Sequence, residues 1–210
     1  MLTPDQIDRV VTGREDDPFA TLGVHPASKG FTACVMLPDA TGVTALTLEG
    51  KAVGQLACIH PDGLFFGRVS VKKRQPLRYI AHYSDSSDYA LVDPYGYGPV
   101  LGPMDDHYFA EGSHGRLFDK MGAHVIHHEG MDGTHFAVWA PNALRVSVVG
   151  DFNRWDGRRG LMRRRTDAGI WEIFLPEVGA GSAYKFEIIG ANGDLLPLKS
   201  DPFAFQAELR

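Results

Sequence analysis

The sequence predicts an all-β protein made of two tandem β-sandwich modules, with a short N-terminal helix and an irregular connector. Three observations predict it. Short apolar runs separated by turn residues recur along the chain, starting with FTACVML at Phe31. The 24 glycines and 13 prolines in 210 residues suit many strands and turns better than a helical bundle. The second half also repeats the first. FTACVMLPDATGVTAL aligns with HFAVWAPNALRVSVV through Pro38 and Pro141, and GLFFGRV with GIWEIFL through Gly63 and Gly169. LRYIAHY aligns with YKFEIIG through Tyr79 and Phe186, and DPYGYG with DPFAFQ through Asp93 and Asp201. Matches in one order at a nearly constant offset indicate two copies of one unit, each of immunoglobulin-like size.

The elements follow in order. At the start, Thr3 caps a short helix, Pro4 suits its first turn and Gln6 completes a capping box. Ile7, Val10 and Val11 share its apolar face and Gly13 ends it. DPFATLGVHP is then a loop entering the β region. FTACVML, TALTL, GQLACI, LFFGRVSV and LRYIAHY read as strands of the first module, residues 1–102. Residues 103–128 carry no strand pattern and read as an ordered connector, with one helical turn at Leu117, Phe118 and Met121 ended by Gly122. The second module, residues 129–210, runs through HFAVWA, LRVSVVG, GIWEIFL and AYKFEII to DPFAF. GIWEIFL reads as covered on both sides, and Trp171 and Trp139 as core or interface.

Composition excludes some functions. The formal charge of −5 disfavours nucleic-acid binding, and the five arginines between 158 and 165 lack interleaved aromatics. No basic and apolar leader and no membrane-length run is visible, which points to a cytoplasmic chain without a membrane partner. Cys34 and Cys58 read as two reduced, half-buried thiols. His107, His114, His124, His127, His128 and His135 crowd the connector region without metal-ligand spacing, so no metal and no cofactor is expected. No paired acid/base arrangement stands out, and no catalytic residue is expected.

The stretch GDFNRWDGRRG singles out Trp155. It lies beyond a strand end, among turn residues and charge, where an indole either presents a plate for a sugar ring or folds back as packing. Asn153, Arg154 and Asp156 are the polar neighbours for hydroxyl groups. In AYKFEII, Tyr184, Phe186 and Ile188 share the core side, so Lys185 points outward as a solvated lysine or a ligand donor.

HFAVWAPNALRVSVVGDFNRWDGR, GIWEIFLP and YKFEIIGANGDLLPLKSDPFAF together resemble the glycogen-binding β-sandwich module of the α-amylase superfamily, and most closely that of bacterial 1,4-α-glucan branching enzymes. DPFATLGVHP, MLPDATGV and VDPYGYGP resemble the extra N-terminal module of the longer bacterial enzymes, and PMDDHYFAEGSH and MGAH their connector. The resemblance spans nearly the whole chain. It implies an enzyme that cuts an α-1,4-glucan chain and rejoins it through an α-1,6 bond, by two carboxylates on a (β/α)8 barrel. No barrel fits before Arg210, so the chain is expected to lack transferase activity alone. The implied partners are α-1,4-glucan, bound weakly, and the catalytic barrel. The similar module of the AMP-activated protein kinase β subunit implies sugar contacts at Trp155 and Lys185. Asn153, Arg154 and Asn192 complete the candidate contacts. The kinase module's second tryptophan is missing, because NGDLLPLKSDP has Leu195 and Leu196 and no aromatic.

Overall fold

The computed structural model describes residues 2–15, 17–165 and 168–206. The chain folds as two compact units, Met1–Gly98 and Pro99–Arg210.

The first unit opens with helix α1, Pro4–Val11, and the short α2, Pro18–Thr21. The Thr3 hydroxyl accepts from Gln6 N (3.2 Å), and the Gln6 side chain accepts from Thr3 N (2.9 Å), so the expected capping box forms. Val10 and Val11 are buried.

Seven antiparallel strands follow: β1 (Gly23–Pro26), β2 (Phe31–Met36), β3 (Gly42–Leu46), β4 (Ala52–His60), β5 (Leu64–Val69), β6 (Arg78–His82) and β7 (Asp88–Val92). Their order is β1-β2-β5-β4-β3-β6-β7. Long β4 joins the two layers. Its first half pairs with β3, from Leu46↔Ala52 to Val43↔Leu56, and its second half with β5, from Ala57↔Phe66 to His60↔Leu64. The core between them holds Val35, Leu37, Val43, Leu56, Phe65, Leu77 and Tyr79. Strands β1 and β7 lie outside the runs read from the sequence, and each is a short edge strand. Cys34 is buried, which pushes its thiol up to about 12, and Cys58 is exposed. Both are free thiols, but neither has the half-buried setting expected of it.

The second unit contains helix α3 (Pro103–Glu111) and strands β8 (Gly122–His128), β9 (Met131–Trp139), β10 (Arg145–Gly150), β11 (Arg163–Arg165), β12 (Ile170–Pro176) and β13 (Tyr184–Ile189). One sheet runs β11-β12-β9-β8 and the other pairs β10 with β13. Isolated bridges widen the second sheet, Ser147 to Leu161 on one side and Phe186 to Lys199 and Ile189 to Leu195 on the other. Across the sandwich, the Phe136 ring meets Tyr184 edge-on at 4.9 Å. On the opposite face, Leu101, Met121 and Phe109 cover Ala137 and Ile170. Every residue of β12 is therefore buried, as expected for GIWEIFL.

The connector departs from expectation. α3 starts with Pro103 at its first turn and Asp105 accepting from Gly102 N at 2.9 Å, and it ends at Gly112 with φ +68°. It buries no residue, so no apolar stripe announces it. β8 pairs along its length with β9, from Gly122↔Ala137 to His128↔Met131, although histidines fill three of its seven positions. DPFAF, where the second β region ends, forms turns. Trp171 is core, with its Nε1 donating to the Ala140 carbonyl at 3.0 Å, whereas Trp139 is 65% exposed and not core.

Each unit contains a similar aspartate turn, held by a tyrosine hydroxyl from a different strand position, since Tyr79 aligns with Phe186 and not with Tyr184. In the first, Asp93 Oδ1 accepts from Tyr95 N (3.0 Å) and Oδ2 from the Tyr79 hydroxyl (3.4 Å). In the second, Asp201 Oδ1 accepts from Phe203 N (2.8 Å), and its other oxygen accepts from the Tyr184 hydroxyl. Gly23 (φ +88°) and Gly122 (φ +91°) lie against these turns, where an added Cβ would come within 3.1 Å of Tyr95 Cβ and 2.9 Å of Phe203 Cβ. His25 Nε2 donates to the Leu22 carbonyl and His124 Nε2 to the Met121 carbonyl, at 2.7 and 2.9 Å. The repeat read from DPYGYG and DPFAFQ thus extends to LGVH and MGAH.

Asp93 gives the first unit a distinctive pH response. Burial raises its carboxyl to about 7, against the opposing bonds from Tyr95 and Tyr79. The folded state then holds a proton that the unfolded chain has lost. The associated stability is full below about pH 4 and falls as pH rises to about 7, with a slope of up to about 1.4 kcal/mol per pH unit. Denaturant melts of the first-unit transition at pH 5 and 7 measure it. Asp93→Asn, which cannot ionise, is expected to flatten the slope. An unchanged slope in that variant contradicts the assignment.

Candidate functional site

Trp155 sits in the turn that follows β10. Buried Asn153 shapes this turn, its amide donating to the Val148 carbonyl (2.8 Å) and its oxygen accepting from Gly150 N (3.0 Å). Trp155 N then donates to the Gly150 carbonyl at 2.9 Å. Arg154 and Trp155 both have φ +58°, a conformation that costs a non-glycine residue about 1–2 kcal/mol. The indole Nε1 donates to Asp151 Oδ1 at 2.8 Å, which fixes the ring while leaving the residue 39% exposed. An indole folded back into the core would be buried.

Lys185 comes from β13, where it lies opposite Val149 at the end of β10. The pairing brings the start of β13 beside the Trp155 turn. Trp155 and Lys185 line one groove of about 740 Å³. Tyr184 and Val125 add apolar surface to it, and Gly179–Ala183 form a small-residue rim. Two added Cβ atoms, at Gly179 and Gly181, would meet nothing within 4 Å, so the rim is open. An apolar concavity with a few polar groups is the usual form of a small-ligand site.

The other candidates lie differently. Asn153 is buried and engaged with backbone, so it positions the turn. Arg154 is exposed on the same turn, outside the groove lining. Asn192 is exposed in the turn after the far end of β13, away from Lys185. The Asp156 carboxylate takes three bonds from Arg158, at 2.8–3.0 Å. Burial would raise its carboxyl, and these bonds outweigh that and lower it. The arginine cluster is likewise dispersed. Arg165 pairs with Asp106, and Arg164 lies 5.8 Å from the Trp171 ring and donates to the Pro141 carbonyl. Among the described residues, no three His, Cys, Asp or Glu side chains are grouped to hold a metal. No helix there is long and apolar enough to cross a membrane.

A second polar cluster escaped the sequence reading. Glu172, 1% exposed on β12, accepts from His135 Nε2 (3.0 Å), Val100 N (3.1 Å) and Leu101 N (3.0 Å). Its other oxygen lies 3.4 Å from Arg165 Nη1. His135 is thus a buried structural partner of Glu172. These residues lie far apart in sequence, and no local pattern links them.

These features define two successive β-sandwich units, the second of them with a groove of small-ligand size. Residues 120–204 match the family model of carbohydrate-binding module 48, the isoamylase N-terminal domain. Residues 3–95 match that of the α-1,4-glucan branching enzyme GlgB N-terminal domain. The chain belongs to the glycogen branching-enzyme family, as the N-terminal region of such a protein. It is 59% identical over 209 residues to the 1,4-α-glucan branching enzyme GlgB of Agrobacterium fabrum, covering 100% of this chain and 28% of the relative. It is 63% identical over 201 residues to that of Mesorhizobium japonicum, covering 96% and 27%. The chain therefore spans little more than a quarter of the curated relatives it matches. An apo pullulanase from Klebsiella pneumoniae aligns with 96% of this chain and 24% of its own at 17% identity, with a TM-score of 0.33.

Proposed function

We propose that the second unit binds α-1,4-glucan weakly in the Trp155 groove, as the glucan-recognising part of a cytoplasmic glycogen branching enzyme. In that enzyme, an α-1,4 chain is cut and rejoined through an α-1,6 bond. This region contributes substrate binding and influences the length of chain transferred. The observation that carries the reading is that Trp155 and Lys185, from separate elements, line one groove in a carbohydrate-binding module. The indole offers its face to the C–H side of a glucose ring, and the ammonium group donates to hydroxyls.

A second role is favoured by one observation. Leu195, Leu196 and Leu198 are 61%, 37% and 44% exposed along the segment beside β13. That apolar run suits packing against the catalytic barrel of the parent enzyme. The two roles occupy different surfaces and are compatible.

Affinity electrophoresis tests the glucan reading. The 210-residue chain is expected to be retarded in gels containing glycogen, and excess maltoheptaose is expected to relieve the retardation. Mobility unaffected by glycogen contradicts the reading.

A further inference from the structure

We propose that Phe205 is a second sugar-stacking ring of this groove. It takes the part of the aromatic missing at Leu195 and Leu196, but from a different stretch of chain. The inference rests on the reading that the groove takes an α-glucan.

Phe205 lines the same groove as Trp155. It is 86% exposed, the most exposed large apolar side chain among the described residues. An apolar ring held in water gains by being covered, and the apolar face of a sugar covers it. The groove volume of about 740 Å³ lies within the range of small-ligand sites, about 300–1,000 Å³.

The turn that leads to the ring is fixed by its surroundings. Asp201 ties down the preceding turn through Phe203 N and is itself held by the Tyr184 hydroxyl, whose ring also lines the groove. Gly122 lets that turn lie close against the start of β8. His124, anchored to the Met121 carbonyl, meets the Phe205 ring edge-on at 5.9 Å. This fixes the backbone that carries the ring, which limits the ordering cost of binding.

The similar aspartate turns supply a comparison within the molecule. Asp93-Pro94-Tyr95-Gly96-Tyr97 corresponds to Asp201-Pro202-Phe203-Ala204-Phe205. Tyr97, the counterpart of Phe205, is only 3% exposed. Similar turns thus carry a buried ring in the first unit and a ring on a groove wall in the second. That difference accompanies the presence of Trp155 and Lys185 in the second unit.

Calorimetric titration of the 210-residue chain with maltoheptaose tests the proposal. Phe205→Ala is expected to weaken binding about three- to tenfold, and Phe205→Trp to keep or restore it. Thermal melts report whether both variants remain folded, as expected for so exposed a ring. If Trp155→Ala weakens binding but Phe205→Ala leaves it unchanged, the groove reading survives and the proposal for Phe205 is overturned. The ring then belongs to a contact with protein. If the unaltered chain binds no maltoheptaose, the groove reading falls and takes this proposal with it.

Discussion

Replacing Glu172 by alanine is expected to destabilise the second unit by about 3–5 kcal/mol. The carboxylate is 1% exposed and accepts from two backbone N–H groups and the His135 ring, with Arg165 at its other oxygen. Its removal leaves the Val100 and Leu101 N–H groups and the His135 N–H without acceptors, which is costlier than the loss of a surface ion pair. Glu172→Gln keeps an acceptor but loses the charge, so its effect is expected to be smaller. The same carboxylate sets an acid limit. Burial works to raise its pKa, but His135, Leu101 N and Arg165 outweigh burial and lower it. A lowered carboxyl contributes stability that is present above its unfolded value, about 4.3, and is lost as pH falls through the folded value. Denaturant melts of the second-unit transition at pH 7 and pH 4 measure both effects. A Glu172→Ala variant with unchanged midpoint and slope contradicts the clamp.

Trp155→Ala is expected to lower maltoheptaose affinity at least about tenfold, with little change in thermal stability. The fold is expected to tolerate the change because Asn153, not the indole, holds the turn. Trp155→Phe is expected to retain part of the affinity, since a plate remains, although the Nε1–H bond to Asp151 is lost. Calorimetry and a thermal melt on the same preparations separate lost stacking from lost fold. An alanine variant with unchanged affinity removes Trp155 from the site.

Much of the fold was legible because its cause is local. The period-two runs marked the central strands, and Thr3 and Gln6 marked α1. Buried Trp171 and Phe186 follow from their strands. Elements whose cause is tertiary were missed. β8 is a histidine-rich edge strand defined by its ladder with β9, and α3 has caps but no buried face. Trp139 fits an apolar run, yet it stands at a strand end where nothing covers most of it. The site was half legible. GDFNRWDGRRG raised Trp155 by placing an aromatic in a turn, and alternation in AYKFEII set Lys185 apart. Their common groove depends on the β10–β13 register, and neither Phe205 nor the Glu172 cluster has a local signal.

The central claim is that Trp155 meets a glucan chain. The most direct measurement follows the three tryptophan indole N–H signals by NMR while maltoheptaose is added to the millimolar range. The Trp155 signal is expected to shift progressively and saturate, with little movement of the buried Trp171 signal or of Trp139. A stationary Trp155 signal, with the protein folded and sugar in excess, contradicts the account.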